Sequence, residues 1–92
     1  MISKFPYYRL QRHPFWHSII ECLVQFHNYP IQNALEQVYE YYLKLRLRLT
    51  KKDFELVYHE EPFSVACEIA QKNIDITNHL ENYEQILMEA GW

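Results

Sequence analysis

Few residues in this sequence have the type and spacing that chemistry needs. His13, His17 and Glu21 recur at intervals of four, a spacing that lines metal ligands along one helix face. His13, however, precedes Pro14, and the residue before a proline is pushed out of helical geometry. No Cys-x-x-Cys or His-Glu-x-x-His accompanies the series, so it reads as helix-start and surface residues, and no metal or other cofactor is expected. His27 falls on an apolar face near a helix end, where an imidazole meets a free carbonyl. Cys22 or Cys67 beside a histidine would make a nucleophile. Both lie next to apolar stripes, where a free thiol packs as a small hydrophobe. Glu60 and Glu61 precede Pro62, and Asp53 and Glu55 flank Phe54; these acids read as solvated helix termini. The single glycine, Gly91, excludes phosphate-cradling loops. No catalytic constellation emerges, and an enzyme is not expected.

The densest chemical signal is cationic. Lys44, Arg46, Arg48, Lys51 and Lys52 put five positive charges into nine residues, and Arg9 and Arg12 can join them in space. Tyr39, Tyr41, Tyr42 and Tyr58 are near in sequence, and cations interleaved with aromatics suit a nucleic-acid backbone, single-stranded above all. The helix dipole favours cations in a C-terminal turn and accounts for part of the cluster without any ligand. Charge is also polarised along the chain. Residues 1–52 carry eight Lys/Arg against three acids, and residues 53–92 carry nine acids against Lys72 alone, which leaves a net charge of −3. The split has an internal reading, an acidic helix packed beside a basic end, and an external one, the steering of a charged partner.

These groups have to be positioned by one small domain, 1–92, because a chain of this length leaves no room for two. With 49% hydrophobic and 16% aromatic residues it has the material for a core. No apolar run approaches ~18 residues and the N-terminus lacks a signal-peptide core, so no membrane contact is expected. Two cysteines without an export signal point to a cytoplasmic protein with reduced thiols.

Proline punctuates the chain at positions 6, 14, 30 and 62, each suited to a helix start. After Pro14, residues Trp16, Ile19, Ile20, Leu23 and Phe26 share a helical face. After Pro30, residues Leu35, Val38, Tyr39, Tyr42, Leu45 and Leu49 form a second stripe. The run Leu43–Leu49 alternates and so also fits a strand, which would pair across 43–59 as a hairpin in an α+β fold. Its helix-forming residues favour helix. Thr50 and Asp53 have capping-box spacing, and Leu49 and Phe54 occupy the staple positions of a new helix. From Ala66 to Ala90 a heptad register predicts one long C-terminal helix, which from Phe63 would run ~42 Å at ~1.5 Å per residue. The sequence therefore predicts an all-α, compact bundle of four to five helices with a long C-terminal helix.

Fifteen aromatics are hard to bury in so small a bundle, and half-exposed Tyr and Trp suit interfaces. The candidate partner-binding residues are Tyr41, Leu43, Leu47, Tyr83, Ile86, Leu87 and Trp92, with the far end of the long helix seeking a partner chain or a second copy. The first functional reading is a non-enzymatic interaction module, a small subunit or regulator in a multi-protein complex. The second is a nucleic-acid-contacting small subunit of a ribonucleoprotein or DNA-targeting complex, using Arg9, Arg12, Lys44, Arg46, Arg48, Lys51 and Lys52. The third is an acidic inhibitor or immunity-type protein presenting its C-terminal helix to a basic site.

Overall fold

Each helix begins where the sequence supplies a proline or a capping side chain. In the computed structural model, which describes residues 12–91, α1 (Pro14–Phe26) opens on Pro14, and the His13 Nδ1 accepts from the Phe15 N–H at 3.2 Å. α2 (Ile31–Arg48) follows Pro30. α3 (Lys51–Leu56) is capped by Thr50, whose Oγ1 accepts from the Asp53 N–H at 3.1 Å. α4 (Pro62–Ala70) again opens on a proline, and α5 (Leu80–Ala90) closes at Gly91 with a left-handed φ of 99°. Short 3-10 turns at Val57–His59 and Ile76–Asn78 complete the order. Among the described residues there are five α-helices and no strand, so the fold is all-α. The hairpin across 43–59 does not form, since Leu43–Arg48 continues α2 and Thr50 starts α3.

A long, charge-poor helix takes the centre. α1 carries only Glu21 as a formal charge, and an almost wholly apolar helix must be covered on several sides. It packs most extensively on α4, then on α5 and α2. Phe15, Trp16, Ile19, Ile20 and Leu23 are fully buried. They meet Ala34 and Val38 of α2, Phe63 and Ala66 of α4, and Tyr83 and Ile86 of α5 in one core. Each large side chain so buried contributes about 1.5–3 kcal/mol of transfer free energy.

The long C-terminal helix is two helices. α4 stops because Gln71 turns left-handed at φ 55°. The Lys72 N–H then donates to the Cys67 carbonyl at 3.1 Å and the Gln71 N–H to the Glu68 carbonyl at 3.2 Å, the paired bonds of a Schellman closure. Beyond it, the Asp75 carboxylate accepts from the Thr77 N–H at 3.0 Å and the Thr77 hydroxyl at 2.7 Å, an Asx turn that competes with helix. Asx and β-branched residues from Asn73 to Thr77 lower helix propensity across the break. The heptad pattern spans it because α4 and α5 both turn apolar faces toward α1. An unbroken ~42 Å rod would exceed the molecule's longest extent of 34 Å, and folding it in two covers both halves.

Two expected partner contacts are taken up by the core, and a third is partly so. Tyr83 is 4% and Ile86 1% exposed, and Leu87 is half-buried against the core. The Tyr83 hydroxyl works internally: it accepts from the Phe63 N–H at 3.2 Å and donates to the Glu61 carboxylate. Glu61 makes no side-chain cap for α4, so Tyr83 satisfies one of that helix's orphan N–H groups from another helix.

Candidate functional site

The corner between α2 and α3 brings Arg46 and Lys51 of the predicted cation cluster together. α2 ends where Leu49 and Thr50 become extended, with ψ of 150° and 165°, and α3 restarts one residue later. This bend folds Arg46, Leu49, Lys51, Phe54, Glu55 and Tyr58 around an open concavity of about 540 Å³, within the ~300–1,000 Å³ range of ligand pockets. Two further depressions are smaller, about 260 Å³ along 77–82 and about 230 Å³ beside Cys67, and neither is lined by Lys or Arg.

The concavity's wall is fixed from the core outward. Trp16 of α1 is buried, and its Nε1–H donates to the Tyr58 hydroxyl at 3.2 Å. The His13 ring stacks on Tyr58 at 4.9 Å, while Phe15, Trp16 and Phe54 meet Tyr58 edge-on at 5.2, 6.1 and 5.8 Å. Tyr42 bridges Trp16 and Phe54 at 5.4 and 5.7 Å. Pairs of this geometry contribute about 0.5–1.5 kcal/mol each beyond their buried area. Aromatic rings with two side-chain torsions, held this way, give a rigid surface.

Arg46 is held on that surface. Its guanidinium lies 5.7 Å from the Tyr42 ring centroid and 5.6 Å from that of Phe54, and one Nη–H donates to the Tyr42 hydroxyl at 2.9 Å. Its position on the apolar stripe of α2 is thereby explained, because the stem covers aromatic carbon and the charged head stays exposed. Lys51 is the second cation on the lining, and Lys52 follows it. Lys44 and Arg48 are exposed on α2 on either side of Arg46 in sequence. No ion pair to a described residue neutralises Lys44, Arg48, Lys51 or Lys52, so the acidic half of the chain does not pair with this cluster. Arg12 is exposed beside His13, one residue from the ring stacked on the wall. Arg9 and Trp92 lie outside the described residues.

Of the other expected contact residues, Leu43 and Leu47 are 40% and 87% exposed on α2. Tyr41 is half-buried against Trp16 at 6.4 Å. Its phenol is pushed above the ordinary range by burial and by the Glu68 and Glu60 carboxylates. His27 departs from expectation. Its backbone N–H bonds the Leu23 carbonyl, but its side-chain Nδ1 is buried with no partner among the described residues. Burial, aided by Lys72, lowers its basicity. Burial also lowers that of His13, which suits a neutral ring accepting the Phe15 N–H.

Both thiols are free and buried. Burial pushes the Cys22 thiol far up, with Cys67, Glu21 and Glu61 adding to the effect. A thiol kept protonated is a poor nucleophile. Among the described residues no group of three His, Cys, Asp or Glu side chains is placed to hold a metal ion.

Phe54, Leu49 and Glu55 were not singled out by sequence as contact residues, and Tyr42 and Tyr58 only as aromatics near the cations in sequence. Their signal was present only in part: the staple pairing marked Leu49 and Phe54, but nothing local shows that Trp16 and His13 brace Tyr58 from 42 and 45 positions away. No protein-family model, no curated protein and no solved structure matches the chain.

Proposed function

We propose that this chain is a non-enzymatic helical interaction module, a small subunit or regulator of a larger cytoplasmic assembly, and that the α2–α3 corner is its contact surface for an anionic partner. One observation carries the reading. Two exposed cations, Arg46 and Lys51, line an aromatic concavity with Lys52 next in sequence, and neither lysine finds a counter-charge among the described residues. Like charges so crowded repel one another, and a partner bearing negative charge relieves that repulsion while being steered to the surface. The C-terminal face offers less, because Tyr83, Ile86 and Leu87 are spent on the core. The two free buried thiols agree with a reducing compartment.

The test is charge reversal at the corner. Tagged wild-type protein recovered from its native host should carry a partner identifiable by mass spectrometry. The double variant Lys51→Glu/Lys52→Glu should lose it while keeping its helical circular dichroism and melting temperature. A partner retained at full occupancy by a folded reversal variant would remove the corner as the contact surface.

A further inference from the structure

Resting on the reading of the α2–α3 corner as a contact surface, we infer that its occupant is single-stranded nucleic acid, one nucleotide of which fills the concavity with its phosphate on Arg46 and Lys51 and its base against the Phe54–Tyr58 wall. Three features of the lining select this chemistry together. The two cations require an anionic group, and Arg46 is already oriented: Tyr42 holds one Nη, and the remaining N–H donors of the fork are left for phosphate oxygens. The apolar share, Leu49, Phe54 and Tyr58, requires a flat or apolar body joined to that anion. Base–aromatic stacking meets this need whatever the base.

The third feature is Glu55, the one acid on the lining. A carboxylate in a cationic concavity is unfavourable for the side chains of an acidic peptide, which bring acceptors only. A nucleotide carries donors beside its phosphate, the ring N–H groups and sugar hydroxyls that uridine has among them, from which Glu55 can accept. Lys52, exposed next to Lys51 on α3, adds a cation beyond the lining and so suits a strand rather than a free nucleotide, while Lys44 and Arg48 lie on the face of α2 opposite Arg46 and take no part. The net charge of −3 opposes long-range attraction, so the bare chain binds weakly and the affinity falls with salt.

The experiment is fluorescence anisotropy of a labelled oligouridylate 12-mer with the full chain, with an oligoglutamate peptide and free uridine monophosphate as competitors. The 12-mer should bind at about 50 mM salt. Neutralising two to three phosphates at a slope of about −0.7 each should weaken it roughly 7- to 20-fold by about 200 mM. Phe54→Leu, which keeps an apolar side chain at the wall, should weaken binding at least about five-fold through lost stacking. Arg46→Lys keeps the charge but loses the planar fork, so it should weaken binding too, and Glu55→Gln should leave phosphate attraction stronger. Melting curves separate binding defects from unfolding, and Arg46→Lys keeps the test decisive if Phe54→Leu fails to fold. Oligoglutamate captured in place of the 12-mer, and lost on Lys51→Glu/Lys52→Glu, would overturn nucleic acid as occupant and leave the contact surface standing. Free uridine monophosphate bound as tightly as the 12-mer would overturn the strand in favour of a soluble nucleotide. An adequate host partner lost on charge reversal, with no 12-mer binding at any salt, would likewise retire this inference alone.

Discussion

Tyr83→Phe removes a single oxygen from the core, and the structure says what that costs. The hydroxyl accepts from the buried Phe63 N–H at 3.2 Å and donates to Glu61. Without it the Phe63 N–H, in the first turn of α4, loses its acceptor in a place where Tyr83 is 4% exposed. An unsatisfied buried donor costs about 1–3 kcal/mol, a large share of the ~5–15 kcal/mol that holds a domain folded. At ~4–8 °C per kcal/mol the melting temperature should fall by ~4–24 °C. The same site sets a pH dependence. Burial first, then the Glu61 carboxylate, pushes the Tyr83 phenol far above its ordinary value, and the Phe63 N–H only partly offsets them. Above about pH 10 the unfolded chain gives up a proton that the folded chain keeps. Stability is therefore intact below about pH 10 and declines above it, by about 1.4 kcal/mol per unit for one such group. Tyr41 and Cys22 shift in the same direction, so the wild-type curve alone is not diagnostic. The difference between wild type and Tyr83→Phe is, because it cancels them. Urea unfolding followed by circular dichroism in reductant, at about pH 8 and about pH 11, should show a gap that narrows at the higher pH. A gap under about 0.5 kcal/mol at pH 8, or one unchanged at pH 11, would refute the role of the hydroxyl as a cap supplied from α5.

Thr50→Ala removes the Oγ1 that accepts the Asp53 N–H and should cost about 0.5–2 kcal/mol in urea unfolding; a cost near zero would show that α3 starts without it. Gln71→Gly should raise stability by about 0.5–1 kcal/mol, because glycine adopts the left-handed φ of 55° without a clashing Cβ. Were the chain helical through Gln71, the same change would lower stability by about 1 kcal/mol, so the sign alone decides between a broken and a continuous C-terminal helix.

Local chemistry was legible and tertiary chemistry was not. Pro14, Pro30, Pro62 and Thr50 begin helices where the sequence places them, since a fixed φ or a short side-chain oxygen acts within three residues. The apolar stripes of α1 and α2 become core at Ile19, Leu23 and Val38 for the same reason. The heptad from Ala66 to Ala90 misled because periodicity reports which residues seek burial and not whether the backbone stays helical between them. Gln71, a residue with good helix propensity, stands at the left-handed position where glycine or asparagine would have marked the stop. Tyr83 could not be placed because its two partners lie 20 and 22 residues away, and the site's wall escaped notice because Trp16 reaches Tyr58 across 42.

The cation cluster divides on the same grounds. Arg46 and Arg48 occupy the last turn of α2, where the dipole is worth about half a negative charge and rewards them. Lys51 and Lys52 begin α3, where free N–H groups already point outward and cations are disfavoured. Asp53 supplies the only acid in that turn. Stability would place acids at 51 and 52, so the lysines there work against the local electrostatics of their own helix. Reversing them should consequently leave the fold at least as stable as before while removing charge from the corner. Lys51 lines the concavity and Lys52 adjoins it, so on the proposed reading the pair stands there for what the corner meets rather than for what it holds together.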